Sequence, residues 1–350
     1  MGRGAQADVY RRLARGSTLH QAKQRKNRVA HRAIWPHNAK PCHFCTPRRS
    51  SAMRPAHFLQ LLLLGAIWGA SFLFTRIAVP SLGPAWLIAV RVGCAALFLA
   101  AVAMVLRRQL PVPGNVRHFL VLGLCNTAFP FLLFAYAAQT LSASLLSILN
   151  STAPMFGAAI GAVLYRQRPS LRVLAGLMCG SAGVALLVFK DTSASVQGAA
   201  LPVLAGLVAP FCYGLASHYA KRTAASIEPF AAAHGSMWGA TVLALPLLPF
   251  APQSGTVTPG VLAAALALGV LCTGVAYLMY FRLVAEIGAT SALTVTFLIP
   301  VFGVLWGVVF LDEPFGPGTL VGALVVLAGT ALVTGFLPRW LLPAQDGPGH

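Results

Sequence analysis

The sequence predicts an all-α polytopic membrane protein with ten transmembrane helices in two inverted five-helix repeats. Three observations carry that prediction. The 350 residues are 57% hydrophobic and 9% charged, with a mean hydropathy of +0.74, whereas a soluble domain carries about a quarter charged residues. Apolar runs recur from Phe58 to Leu337, each of the roughly twenty residues that cross a hydrocarbon core of about 30 Å as a helix. One of these runs is written twice with its flanking charge reversed: "MFGAAIGAVLYRQRPS" at 155–170 ends in Arg166 and Arg168, and "VFGVLWGVVFLDEPFG" at 301–316 ends in Asp312 and Glu313.

Breaks at Gly, Pro and charge clusters divide the apolar region into spans at 58–79, 84–106, 118–139, 143–164, 171–189, 199–219, 229–250, 260–283, 289–311 and 318–337. Their connections obey the positive-inside rule. One alternate set holds Arg107, Arg108, Arg117, Arg166, Arg168, Arg172, Lys221, Arg222, Arg282 and Arg339. The opposite set holds Lys190, with Arg76 just inside a helix end, and the acids Asp191, Asp312 and Glu313. Both termini are therefore expected in the cytoplasm of a cell with a multi-pass, bacterial-type inner membrane.

With Pro154 placed on Pro300, residues 143–188 run against 289–334 without a gap and about a dozen positions are identical, among them Gly176/Gly322 and Gly183/Gly329. The period spans five helices, an odd number, so the second copy enters the membrane upside down. That accounts for the reversed charge: one twin loop faces the cytoplasm and the other faces outward. Inverted repeats of this kind occur in secondary transporters, which rock two halves about a site near the midplane. The division is 1–52 as a basic arm, 53–190 and 199–338 as the two repeats, and 339–350 as a short tail.

The stretches "WGASFLFTRIAV" (68–79), "IAVRVG" (88–93) and "CTGVAYLMYFRLVAEIGATSALTVTFLIPVFGVLWGVVFLDEP" (272–314) resemble the EamA-type branch of the drug/metabolite transporter superfamily. The matching motif residues are Trp68, Gly69, Phe72, Arg91, Pro154, Pro300, Gly307, Glu313 and Pro314, while the first copy has Tyr165-Arg166-Gln167-Arg168 in place of the acidic motif. The resemblance implies a secondary transporter, usually an exporter of amino acids or other small metabolites, with no cofactor.

The seven acids, Asp8, Asp191, Glu228, Glu286, Asp312, Glu313 and Asp346, all fall outside the predicted spans, so no intramembrane carboxylate offers a proton or ion site. Arg91, about seven residues into span 2, is the leading charged candidate, because a cation at that depth needs a cavity or a partner and a guanidinium grips a carboxylate in two places. The competing reading is an arginine that snorkels to the headgroups, which suits Arg76 better. His234 on span 7 could titrate near neutral pH or simply bond between helices, and His218 is expected at the interface beside Lys221 and Arg222. Among Asn126, Asn150, Thr152, Tyr136, Tyr213, Thr273, Tyr277, Thr294 and Thr296, polar groups at membrane depth serve as interhelical contacts or as solute ligands. The candidate substrate-binding set is Arg91, Trp68, Asn150, His234, Tyr277 and Thr296. Pro154 and Pro300 are expected to make matched kinks, and Gly157, Gly161, Gly303 and Gly307 a close-packed seam that slides or rocks.

The pI near 10.7 does not point to nucleic acid, since half of the 26 Lys and Arg precede Pro55. That basic arm suits anionic lipid, and translation is expected to start at Met53. Cys42, His43 and Cys45 make only half a zinc site, so no metal is expected, and the remaining cysteines fall inside spans as small apolar packers. Rival classes are a membrane-embedded enzyme, a non-transporting bundle and an importer of the same fold. No His-Glu-x-x-His, Gly-x-Ser-x-Gly or Walker loop occurs, and the last absence excludes an ATP-driven pump in this chain. The expected partners are a small-molecule solute and the bilayer, with the protein as monomer or homodimer. A reporter fused after Arg339 is expected to be active only on the cytoplasmic side; activity confined to the outer side would overturn the topology.

Overall fold

The protein was analysed as a computed structural model, which describes residues 55–335 apart from 111, 113, 192–199, 224–226 and 252–254. The basic arm, its Cys42–Cys45 cluster and the C-terminal tail lie outside the described residues. In chain order the helices are α1 (Pro55–Val105), α2 (Val116–Gly123), α3 (Phe129–Ala137), α4 (Ala143–Asn150), α5 (Ala153–Leu164), α6 (Leu171–Asp191), α7 (Ala200–Thr223), α8 (Pro229–Ala244), α9 (Pro259–Gly269), α10 (Ala276–Ile287), α11 (Ala289–Ala292), α12 (Val295–Leu311) and α13 (Pro317–Thr334). Among the described residues, eight helical stretches are long and apolar enough to cross a membrane, the longest being Pro55–Val105, and Val295–Leu311 is a shorter apolar helix. With α1 taken as two arms and α12 as a crossing, these are the ten spans.

Each boundary has a local cause. The two arms of α1 meet at Gly83, which adopts φ 73°, ψ 161° between Pro80 and Pro84. Only glycine reaches that conformation without strain, and the following proline holds it extended. Span 7 tightens from α8 into a 3₁₀ turn at Leu245–Phe250, where Pro246 and Pro249 cannot donate to an α-helical ladder. Span 8 runs on to Ile287 rather than ending at 283, which takes Glu286 into the last turn of α10, paired with Arg282 and His57.

Spans 3 and 8 each contain a π-helical segment, Leu124–Ala128 and Val270–Val275. The shift of 146 positions that puts Pro154 on Pro300 also puts Leu124 on Val270, so the same irregularity is built into both copies. A wide turn of this kind leaves a carbonyl without its helical donor. In the second copy Thr273 Oγ1 donates to the Leu268 carbonyl at 2.9 Å.

The contacts between the copies run in opposite senses. α6 packs along α13, its twin in the repeat. A methyl group added to Gly176 would lie 2.8 Å from the Gly329 oxygen, and one added to Gly183 would lie 2.7 Å from the Val326 nitrogen and 3.0 Å from the Gly322 oxygen. Moving forward along α6 thus moves backward along α13, so the twins are antiparallel. Because Gly176 pairs in sequence with Gly322 and Gly183 with Gly329, each contact is the image of the other, as a two-fold axis requires. The same relation holds farther out. Gly69 approaches Phe302 and Gly303, and Gly214 approaches Phe156 and Gly157; Gly269 meets Arg91 and Cys94, and Gly123 meets Ser236 and Gly239.

The prolines behave differently from expectation. Span 4 breaks at Ser151–Thr152, and Pro154 opens the new helix α5 in its first turn, where a missing N–H costs nothing. Span 9 breaks about one turn earlier in the alignment, at Leu293–Thr294, and Pro300 lies inside the continuous α12. The kinks are therefore not matched. Threonine hydroxyls take over carbonyls at the second break: Thr294 Oγ1 bonds Ser291 O at 2.7 Å and Thr296 Oγ1 bonds Leu293 O at 2.6 Å.

The α6–α13 seam is expected to tolerate no added carbon. Gly183→Ala should lower stability by about 1–3 kcal/mol through overpacking against backbone, read as an earlier thermal transition in detergent. Gly93→Ala is the control, since nothing lies within 4 Å of its added methyl, and it should leave that transition unmoved.

Candidate functional site

Between the two copies lies a cavity of about 320 Å³. Its wall is assembled from sequence twins. Phe131 and Tyr277, Phe134 and Tyr280, Asn126 and Cys272, and Asn150 and Thr296 all line it, and each pair is related by the 146-position shift. Trp68 and Tyr213 also line it, twins by the 145-position shift that places Pro84 on Pro229. The π segments and the breaks in spans 4 and 9 supply Asn126, Cys272, Asn150, Leu293, Val295 and Thr296. Irregular backbone thus borders the cavity, where protein groups can take up the bonds that the helical ladder loses.

Aromatic rings knit most of the wall together. Trp68 stands 5.5 Å from Tyr280 and edge-on to Tyr277 at 6.5 Å. Phe134 lies 5.5 Å from Phe72 and 6.3 Å from Tyr213, and Asn126 Nδ2 donates to the Tyr277 hydroxyl at 3.4 Å.

Arg91 departs from the symmetry. Its twin is Ser236, a residue that does not line the cavity. Arg91 is 8% exposed and does line it. Its Nε donates to Thr273 Oγ1 at 3.1 Å, and its guanidinium carbon sits 3.5 Å from the centre of the Phe131 ring. Stacking a cation on a desolvated aromatic face is worth about 2 kcal/mol, and the threonine, itself held by Leu268 O, fixes the guanidinium's azimuth. No carboxylate lines the cavity. Among the described residues the terminal guanidinium nitrogens have no hydrogen-bonding partner, so the cation presents open donors to the space. Such donors suit an anion or a carbonyl, and no nucleophile–base pair lines the cavity among the described residues.

Of the residues singled out in the sequence, Arg91, Trp68, Asn150, Tyr277 and Thr296 share this cavity. His234 does not. It is 5% exposed, its Nε2 accepts from Trp238 Nε1 at 3.0 Å one turn along α8, and its ring lies 6.0 Å from Phe230; its face of span 7 serves helix packing. Arg76 does not snorkel freely either, for its Nη1 donates to the Ala138 carbonyl at the end of α3, where a cation meets the negative pole of the helix. His218 is held between helices: its Nε2 donates to the Gly157 carbonyl at 2.8 Å. The four seam glycines split by copy. Gly303 and Gly307 meet Ser147 and Ser144 of α4, while Gly157 meets Gly214 and Ser217 and Gly161 meets His218. Missed in the sequence were Phe131, Phe134 and Tyr280 as wall residues and Thr273 as the partner of Arg91. Extending the repeat alignment backward from residue 143 exposes the first three, since each pairs with another aromatic.

The comparisons agree with this architecture. The model of the EamA-like transporter family matches twice, over residues 57–189 and 200–335. An uncharacterized transporter of Archaeoglobus fulgidus is 30% identical over 293 residues, covering 79% of this chain and 96% of that protein. A probable terminal-alkyne amino-acid exporter of Streptantibioticus cattleyicolor is 27% identical over 277 residues, covering 78% and 91%. A crystal structure that superposes with a TM-score of 0.59 at 18% identity, over 83% of this chain and all of the other, shares the fold. With two matched copies spanning nearly all of the described helices, the chain belongs to the EamA-like transporter family and is a membrane transporter.

Proposed function

We propose that the protein is a secondary carrier in the cell membrane that exports a small metabolite bearing a carboxylate, an amino acid or a related compound, by alternating access between its two halves, with both termini in the cytoplasm. The observation that supports this reading best is Arg91: a buried guanidinium, oriented by Thr273 and Phe131, with its outer nitrogens open to a cavity that no carboxylate lines. An unpaired buried cation is costly, and an anion arriving with the solute offsets that cost. The aromatic wall suits the apolar body of such a solute, and Asn126, Asn150 and Thr296 supply neutral polar contacts. A volume of about 320 Å³ falls at the small end of ligand cavities. Export as the direction rests on the name of the Streptantibioticus relative.

Metabolite profiling of cells with and without the gene, followed by counterflow in vesicles, tests the reading. Arg91→Ala should lose about 2 kcal/mol of solute binding, roughly thirtyfold in affinity. Arg91→Lys keeps the charge without the two-pronged grip and should be partly impaired. Thr273→Val, which frees the guanidinium without removing it, should raise KM more than it lowers kcat. Wild-type counterflow by Arg91→Ala present in the membrane at normal abundance would exclude the arginine as the solute anchor.

A further inference from the structure

The two ends of the molecule are not in equivalent states, and the difference centres on one carboxylate. α12 ends at Asp312, a left-handed residue with φ 52°, which throws Glu313 back onto the start of α4. Its Oε1 accepts from the Ala143 nitrogen at 2.6 Å, and its Oε2 accepts from the Ser144 nitrogen at 2.9 Å and the Ser144 hydroxyl at 2.5 Å. Ser142 accepts from the next nitrogen, Leu145, at 3.1 Å. Beneath this clasp α4 lies along α12, with Ser144 and Ser147 against Gly307 and Gly303, and every residue from Ala143 to Leu149 is buried.

The repeat places an equivalent set at the opposite end. Gln167 is the twin of Glu313, Gly161 of Gly307, Gly157 of Gly303, and Leu293 of Ser147. The turn is duplicated too, since Arg166 has φ 50° where Asp312 has 52°. Yet the set is disengaged. Gln167 is exposed, Leu293 is 48% exposed, and Met155 is the one buried residue of α5. One end is clasped and its image is open, and the two sets differ in sequence as well, with Gln167 in place of Glu313 and Leu293 in place of Ser147.

We propose that the Glu313 carboxylate is the latch of one gate: it holds α4 against α12 while the opposite end is open, and must release α4 each time the carrier exposes its cavity on the Glu313 side. This rests on the carrier reading above. Glu313 acts as a positioning residue, through α4, and touches no solute. A charge-assisted clasp of three bonds fits the role because it is strong when made yet lies at a helix end, where water can replace it.

Accessibility measured from each membrane face tests this. In full-length protein with its own cysteines replaced, Ser71→Cys on the cavity wall serves as the reporter. A membrane-impermeant maleimide is applied to right-side-out or inverted vesicles. Adding Glu313→Gln, which cannot accept from both backbone nitrogens, should raise labelling from the Glu313 face by roughly tenfold and lower it from the other face. Ser144→Ala, which removes one bond of the three, should shift both rates in the same directions by less, and it keeps the test available should Glu313→Gln fold poorly. Transport by the variants should change in kcat with KM nearly unmoved. Unchanged labelling from both faces in well-folded variants would overturn the latch, as would a fall from both faces. Since labelling needs no solute, a failure of the carrier reading shows separately, as absence of wild-type counterflow for every candidate metabolite.

Discussion

A lipid-embedded chain is governed by one requirement: backbone groups that leave the helical ladder must find partners inside the protein. Four irregularities in this molecule satisfy it in one place. The paired π segments and the breaks in spans 4 and 9 all border the central cavity, and hydroxyls close over the carbonyls they free. Ser151 Oγ bonds Ile148 O at 2.6 Å and Thr152 Oγ1 bonds Leu149 O at 2.7 Å. Thr330, from the twin seam on α13, reaches the Ser151 carbonyl at 3.1 Å. Leu97, Met178, Val309 and Leu324 stand exposed on regular helix.

Close backbone approach then sets the geometry. Glycines at Gly69, Gly123, Gly214 and Gly269 bring main chains together without intervening side chains, which is how helices associate when burial from water offers no drive between them. Each approach has its image in the other copy, so the halves are related bodies that meet across a common axis. On the carrier reading proposed above, such a pair would have two ways to tilt, with differences between twin contacts deciding which one is occupied.

Much of this was legible in the residues. Apolar runs of membrane length are a strong signal, and Gly and Pro marked most of the breaks between them, including the one between spans 1 and 2 where Gly83 bends the helix. The repeat was legible because small residues at helix crossings change little between copies. What escaped was anything set by rotation about a helix axis. His234 and Arg91 look alike in sequence, each a lone polar residue in an apolar span, but one faces a neighbouring helix and the other the cavity. Proline positions announce where a donor is missing and not where a helix breaks, which is why Pro154 and Pro300, identical in the alignment, play different parts. Glu313 read as a loop acid that fitted the charge rule. Its hold on α4 depends on a left-handed turn and a partner some 170 positions away in the chain, which no local pattern records.

The exchange of Arg91 for Ser236 has a bearing on how a solute travels. A site with true two-fold symmetry would offer an unsymmetrical molecule two equal poses, one facing each half, and the molecule could leave turned end for end. A single cation in one half abolishes that degeneracy. Any solute gripped by Arg91 keeps its charged group beside span 2 in both states of the carrier. On the carrier reading proposed above, it would cross without turning round, the walls changing places about it while the grip stays still.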